Sequence, residues 1–196
     1  MPQPLAPSGR VGTVLVALGS NVTSSVGLPA RTLRRAIDEL EREGVKIRAV
    51  SRFFATPCFP AGAGPDYVNA ALSAETALSP AEFLALLHQV EASFGRERIE
   101  RWGQRTLDLD LIAYGDMIAP DLETFQTWYA LPADLQKMRA PEDLILPHPR
   151  LQDRGFVLVP LHDVAPNWRH PVLDRTVAQM LADLPETDTR DVTPVS

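Results

Sequence analysis

Two aspartates, Asp108 and Asp110, stand two positions apart in the stretch RWGQRTLDLDLIAYG, residues 101–115. In an extended chain side chains alternate, so Thr106, Asp108 and Asp110 would share one face while Leu107, Leu109 and Leu111 share the other. Same-face neighbours lie about 7 Å apart by strand rise, which lets two carboxylates converge on one or two hard divalent ions. Such ions would offset the cost of crowding two like charges. The plain alternative is a pair of solvated carboxylates on an exposed sheet face. Just upstream, Arg96, Arg98, Arg101 and Arg105 crowd a ten-residue stretch. Guanidinium forks suit phosphate oxygens, and Mg²⁺ is commonly shared between protein carboxylates and substrate phosphates. Both features therefore ask for a nucleoside triphosphate. No G-x-x-x-x-G-K-[ST] stretch occurs, which excludes a P-loop kinase.

The elements that must hold these residues follow from the periodicity. Thr13–Leu18 is a β-branched apolar run stopped by Gly19-Ser20-Asn21, a strand entering a turn. From Pro29 to Glu43, Leu33, Ile37 and Leu40 recur at helical spacing and Gly44 sits where a glycine cap belongs. Val45–Phe54 alternates as a second strand, ended by Thr56-Pro57, and Tyr67–Thr76 forms a third after a loop rich in Gly and Pro. Ser79-Pro80-Ala81-Glu82 is a capping box that starts a second helix with Leu84, Leu87, Val90 and Phe94 as its apolar stripe; Gly95 ends it. Thr106–Tyr114 is the fourth strand. The order β-α-β-β-α-β predicts an α+β, ferredoxin-like fold: an antiparallel sheet with both helices on one face. Residues 115–147 read as an irregular excursion, Phe156–Val164 as a helix or strand, and Asp174 as the cap of a last helix reaching Leu184. Residues 1–10 and 185–196 are expected to fray, leaving a single domain over 11–184.

Composition narrows the function classes. The chain has 196 residues, and 19 Lys plus Arg against 25 Asp plus Glu give a net charge of -6. An acidic balance argues against general nucleic-acid binding, which needs a basic face. No apolar run approaches the roughly 20 residues of a membrane helix, and residues 1–10 have no signal-peptide pattern. Cys58 is the only cysteine, which rules out an internal disulfide and a thiolate metal cage and suits a reducing cytoplasm.

Four blocks in order resemble one family, the 6-hydroxymethyl-7,8-dihydropterin pyrophosphokinases of folate synthesis. They are ALGSN (Ala17–Asn21), Thr56-Pro57 followed by PDYVNAA (Pro65–Ala71), RWGQRTLDLDL, and LPHPRLQDRGFVLVPL (Leu146–Leu161). The resemblance runs from about Val14 to Pro171. It implies a cytoplasmic, monomeric, ferredoxin-like enzyme that moves a diphosphate from ATP to a pterin alcohol, with small molecules as its only partners. It also implies that Asp108 and Asp110 hold two Mg²⁺ ions and that Arg101 and Arg105 contact phosphates. Arg96 and Arg98 would lie in a loop closing over ATP, with Glu91, His148 and Arg154 on the nucleotide side. The pterin pocket would comprise Thr56, Pro57, Tyr67 and Asn69, with Trp102 and Phe156 as aromatic walls. An amide such as Asn69 can offer a donor and an acceptor to the edge of a heteroaromatic ring. For Phe156 the neighbours Val157 and Leu158 argue core packing instead, and His88 reads as an exposed, inert helix residue. The chain departs from the family pattern at Cys58-Phe59, at Pro149 and in an arginine loop one residue short. Residues 118–143, with Trp128 and Tyr129, look like an insertion. Two other readings compete: an RNA-binding sheet, and a metal-dependent phosphohydrolase that uses the same aspartates on water.

Overall fold

A computed structural model describes residues 11–58, 64–95, 106–132, 135 and 141–195. Its first half follows the predicted order: β1 (Gly12–Ser20), α1 (Pro29–Arg42), β2 (Lys46–Val50), β3 (Phe54–Thr56), β4 (Tyr67–Thr76), α2 (Pro80–Ser93) and β5 (Asp108–Tyr114). All strand pairs are antiparallel, and the sheet runs β5-β1-β4-β3, with β2 also on β4.

The single second strand expected over Val45–Phe54 is two strands. Ser51 interrupts it: its N–H donates to Ala71 O at 2.9 Å, while its hydroxyl, rather than its carbonyl, accepts from Ala71 N–H at 2.9 Å. The chain thereby breaks its ladder and re-enters pairing as β3, opposite Asn69, Val68 and Tyr67 of β4.

Val14, Val16 and Leu18 of β1, Ala70, Leu72 and Ala74 of β4, and Leu107, Leu109 and Leu111 all point into one core beneath α1 and α2. The alternation read around β5 therefore holds. The α2 stripe is Phe83, Leu86, Leu87, Val90 and Phe94, rotated from the expected one because Phe83 is buried and Leu84 only half-buried. The capping box at Ser79 forms, with Glu82 N–H donating to Ser79 Oγ and Ser79 N–H donating to Glu82 Oε2 at 2.8 Å. Gly44 and Gly95 adopt the left-handed conformation (φ 86° and 79°) just past their helices.

The other face of the sheet is partly covered. α4 (Gly155–Val164) and α5 (Val177–Asp183) lie over Leu15, Ala71, Ile112 and Ala113 through Val157, Leu158, Leu161 and Met180. The cap of α5 is Thr176, whose side chain accepts from Gln179 N–H, and not Asp174. Asp174 instead takes φ 52° in a turn, where its carboxylate meets Arg169 at 2.8 Å.

Within the irregular excursion a helix forms, α3 (Leu122–Ala130), capped by Asp121 and buried through Phe125. Its neck is closed by paired hydrogen bonds between Ala119 and Leu146. The segment after Pro185, expected to fray, makes a 3₁₀ turn at Glu186–Asp188 and a short strand, β6 (Thr193–Pro194), against β3.

Candidate functional site

Beside α4, the ladder registers bring the predicted residues together at one end of this sheet face. Asp108 sits opposite Gly19 on β1, Gly19 opposite Asn69 on β4, and Asn69 opposite Phe54 on β3. One step along, Asp110 faces Ala17 and Ala17 faces Ala71; one step the other way, Tyr67 faces Thr56. Directly opposed residues of an antiparallel pair share a face. The carboxylates and the Asn69–Thr56–Tyr67 group thus flank a floor of Gly19, Ala17 and Ala71, about 10 Å apart across two strand spacings.

Gly19 leaves room between the two groups. A Cβ there would stand 3.0 Å from Asn69 Oδ1, 3.9 Å from the Asp108 Cβ and 4.0 Å from Tyr67. The sequence offers Gly19 only as part of ALGSN, because its role is to lack a side chain where three others converge. Asn69 is 7% exposed, and its Nδ2 donates to Thr56 Oγ1 at 2.7 Å. That bond spends one amide donor and turns Oδ1 toward Gly19. Next to them, Cys58 N–H donates to Asp66 Oδ1 at 3.3 Å, and the Cys58 sulfur lies 3.6 Å from where a Gly64 Cβ would be.

Opposite, the segment that starts α4 brings basic groups to the aspartates. Burial pulls the Arg154 guanidinium below its ordinary range, while the charges of Asp110 and Asp108 act against that shift, so all three occupy one electrostatic neighbourhood. Arg154 also stacks over the Phe156 ring at 5.7 Å, and Phe156 is 42% exposed. Core packing of Phe156 is thus excluded: in a helix Val157, Leu158 and Leu161 turn inward and Phe156 turns out. His148 N–H donates to Ile112 O at 2.8 Å, tying it to β5, and its Nδ1 accepts from Arg150 N–H at 3.1 Å. Burial first, then Arg154, push His148 down to about 3 despite the opposing pull of Asp108. The imidazole is therefore neutral at pH 7, with its proton on Nε2, available as a donor.

Glu91 plays a different part from its neighbours. It is buried, 2% exposed, on α2, and its Oε1 accepts from Leu109 N–H at 2.7 Å. It grips the backbone between the two aspartates from the edge of β5. Arg96, Arg98, Arg101, Trp102 and Arg105 lie outside the described residues. His88 is exposed on α2, as expected.

Asp108 and Asp110 are half-buried, and among the described residues no group of three or more His, Cys, Asp or Glu could hold a metal ion. Two carboxylates with water or substrate oxygens filling the remaining positions is the donor set Mg²⁺ favours, so the residues present fit that ion. Two grooves of about 500 and 570 Å³ lie elsewhere, one along Arg31, Arg35 and Arg42 of α1 and one by Arg52, Phe53 and Val195. Neither contains a residue of the cleft.

A sequence model described as 7,8-dihydro-6-hydroxymethylpterin-pyrophosphokinase matches residues 15–166, most of the chain. The chain belongs to that family. A Synechocystis relative, named 2-amino-4-hydroxy-6-hydroxymethyldihydropteridine pyrophosphokinase, is 36% identical over 181 residues, 92% of this chain and 80% of the relative. A Haemophilus influenzae protein of the same name is 33% identical over 154 residues, 78% of this chain and 81% of its own. Among solved structures, Plasmodium falciparum HPPK-DHPS with pteroate matches at TM-score 0.63 and 14% identity, over 91% of this chain and 43% of that one. That likeness speaks for the fold alone. The chain is thus a pyrophosphokinase, an ATP-dependent diphosphotransferase of folate biosynthesis. The RNA-binding alternative falls with this assignment, and its physical weakness is plain in the cleft, where carboxylates occupy the face a nucleic-acid backbone would approach. Among the described residues no helix is long and apolar enough to cross a membrane.

Proposed function

We propose that this end of the sheet is the active site and that it transfers a diphosphate from ATP to the hydroxymethyl oxygen of 6-hydroxymethyl-7,8-dihydropterin. The observation that carries this reading is the transverse row Asp108–Gly19–Asn69, which sets a hydrogen-bonding amide and an acidic pair on either side of a residue without a side chain. Thr56, Pro57, Tyr67 and Asn69 hold the pterin edge. Phe156, and Trp102 by resemblance, cover its ring faces, an arrangement suited to a flat heteroaromatic.

Asp108 and Asp110 hold Mg²⁺, two ions by resemblance to the family. Mg²⁺ when bound supplies positive charge beside the phosphate oxygens. Arg154 contributes a guanidinium on the same side, joined by Arg96, Arg98, Arg101 and Arg105 from the segment before β5. Neutral His148 donates from Nε2 to a nucleotide oxygen or ring nitrogen, and Glu91 positions β5 through Leu109 N–H. The pterin oxygen attacks the β-phosphorus in line and AMP departs, so catalysis consists of positioning and charge stabilisation. The enzyme works as a cytoplasmic monomer with small-molecule partners only, its single domain covering residues 11–184 together with the 186–195 segment packed on it.

The deciding experiment couples AMP release to a readout with ATP, Mg²⁺ and the pterin, beside a control lacking the pterin. AMP that forms only with the pterin supports the transfer. AMP or inorganic phosphate formed equally without it would replace this reading with hydrolysis by the same aspartates.

A further inference from the structure

The segment after Pro185 touches both walls of the cleft, and no role in the proposed reaction has been given to it. At one end, the Glu186–Asp188 turn sits on Gly155: a Cβ added to Gly155 would overlap the Asp188 carbonyl oxygen and lie 3.4 Å from Thr189 Cγ2. Gly155 is buried between Arg154, beside the aspartates, and Phe156. At the other end, Thr193 and Pro194 pair with Ala55 and Phe54, and Val195 N–H donates to Phe53 O at 2.8 Å. β3 carries Thr56, the partner of Asn69. A stretch of ten residues therefore spans from the phosphate-side wall to the pterin-side wall.

The mechanics of α4 give this contact leverage. The far end of α4 is fastened to the β2–β3 link by a forked pair, with Arg52 Nε and Nη2 donating to Asp163 at 2.9 and 2.8 Å and Arg52 N–H donating at 3.1 Å. A helix of this length is about 15 Å long. Held at Asp163, it converts a small rotation into an ångström-scale shift at Arg154 and Phe156 unless its start is also held. Val157 and Leu158 seat that start in the core, and the backbone-to-backbone contact on Gly155 adds a hold at its first residue that exists only because residue 155 has no side chain. At β3, β6 covers an edge three residues long that would otherwise be unpaired on that side.

We infer that residues 186–195 form a strap that fixes the distance between the two walls, and that Gly155 is a positioning residue for the reaction. This rests on the proposed assignment of the cleft. The strap acts through Arg154, Phe156 and Thr56 and touches no reacting atom.

Gly155→Ala unseats the turn and Val195→Pro removes the N–H that anchors the strand, both in the full chain. Each variant is expected to raise KM for the pterin about tenfold, since small misplacements are costly in such sites. Because either substitution releases the same strap, the double variant should match the worse single one rather than multiply the effects. Unchanged KM with only a lower Tm, measured where circular dichroism shows both variants folded, would overturn the inference in favour of a merely structural tail. Multiplying effects would overturn it too. Amide hydrogen exchange gives a readout independent of turnover. If the parent chain makes no pterin-dependent AMP, the assignment of the cleft fails by itself. The strap then stands if Gly155→Ala speeds exchange at 54–56 as well as at 154–158, and falls if only 154–158 loosens.

Discussion

Asp110 lies on the open face with Ala17, not a ligand-sized side chain, opposite it, and it shares its surroundings with Arg154. Replacing it by Ala removes half of the proposed metal set but buries nothing new, so Asp110→Ala should keep its fold by circular dichroism and lose about a thousandfold in kcat in the AMP assay. Activity near the parent level would dissolve the metal assignment. Asp108 and Asp110 were legible in the sequence because strand alternation alone sorts them from Leu107, Leu109 and Leu111. Gly19 was not, since an absent side chain leaves no periodic signal, and its importance emerges only when β1 is seen between β4 and β5. Phe156 misled local reading for a related reason: beside Val157 and Leu158 it looks like core, yet helical geometry sends successive residues to different sides.

At the scale of elements, what decides each boundary is where backbone donors find partners. The last helix illustrates it. Asp174 is a good cap residue by type, but the turn that places it at positive φ leaves Thr176 and Gln179 to exchange the capping bonds, at 3.2 and 3.0 Å. Thr176→Ala should then cost about 1 kcal/mol of unfolding free energy by urea titration, whereas Asp174→Gly, which suits the positive φ and breaks only an exposed ion pair, should cost less than half of that. The reverse order would restore the sequence-based cap. The four strands and two helices of the first half could be read from period and caps because their apolar runs and cap residues lie within one local window. The break at Ser51 depends on one hydroxyl accepting from Ala71, and β6 on a pairing with a strand about 140 positions earlier, neither of which any local window contains.

For the molecule as a whole, stability is coupled to protons and, on the proposed reading, ligand binding is coupled to Mg²⁺. Burial holds His148 at about 3 and His170, sealed between Phe125 and Trp168, at about 4, against about 6.5 in an unfolded chain. A depressed folded value means the unfolded chain takes up these protons first, so stability is full above pH 6.5 and is lost as pH falls toward the folded values. Carboxylates contribute only further down, which leaves pH 5 to 6.5 to the histidines. The urea midpoint should fall across that window, and His148→Gln should make the fall shallower; a flat profile would contradict both burials. Above that window, nucleotide binding is the larger lever. A chain of net charge -6 has little general attraction for ATP, so on the proposed reading affinity comes from the cleft, where Mg²⁺ would offset the repulsion between phosphates and the Asp108–Asp110 pair. Ligand that binds only the folded state at a hundred times its Kd adds about 2.7 kcal/mol, or roughly 5–11 °C in Tm for a domain of this size. ATP with Mg²⁺ should produce that shift, and EDTA should abolish it while leaving the ligand-free Tm unchanged. Asp110→Ala should lose the shift even with Mg²⁺ present. An equal shift from ATP in EDTA would mean that the arginines alone hold the nucleotide and that the two aspartates serve something other than the metal.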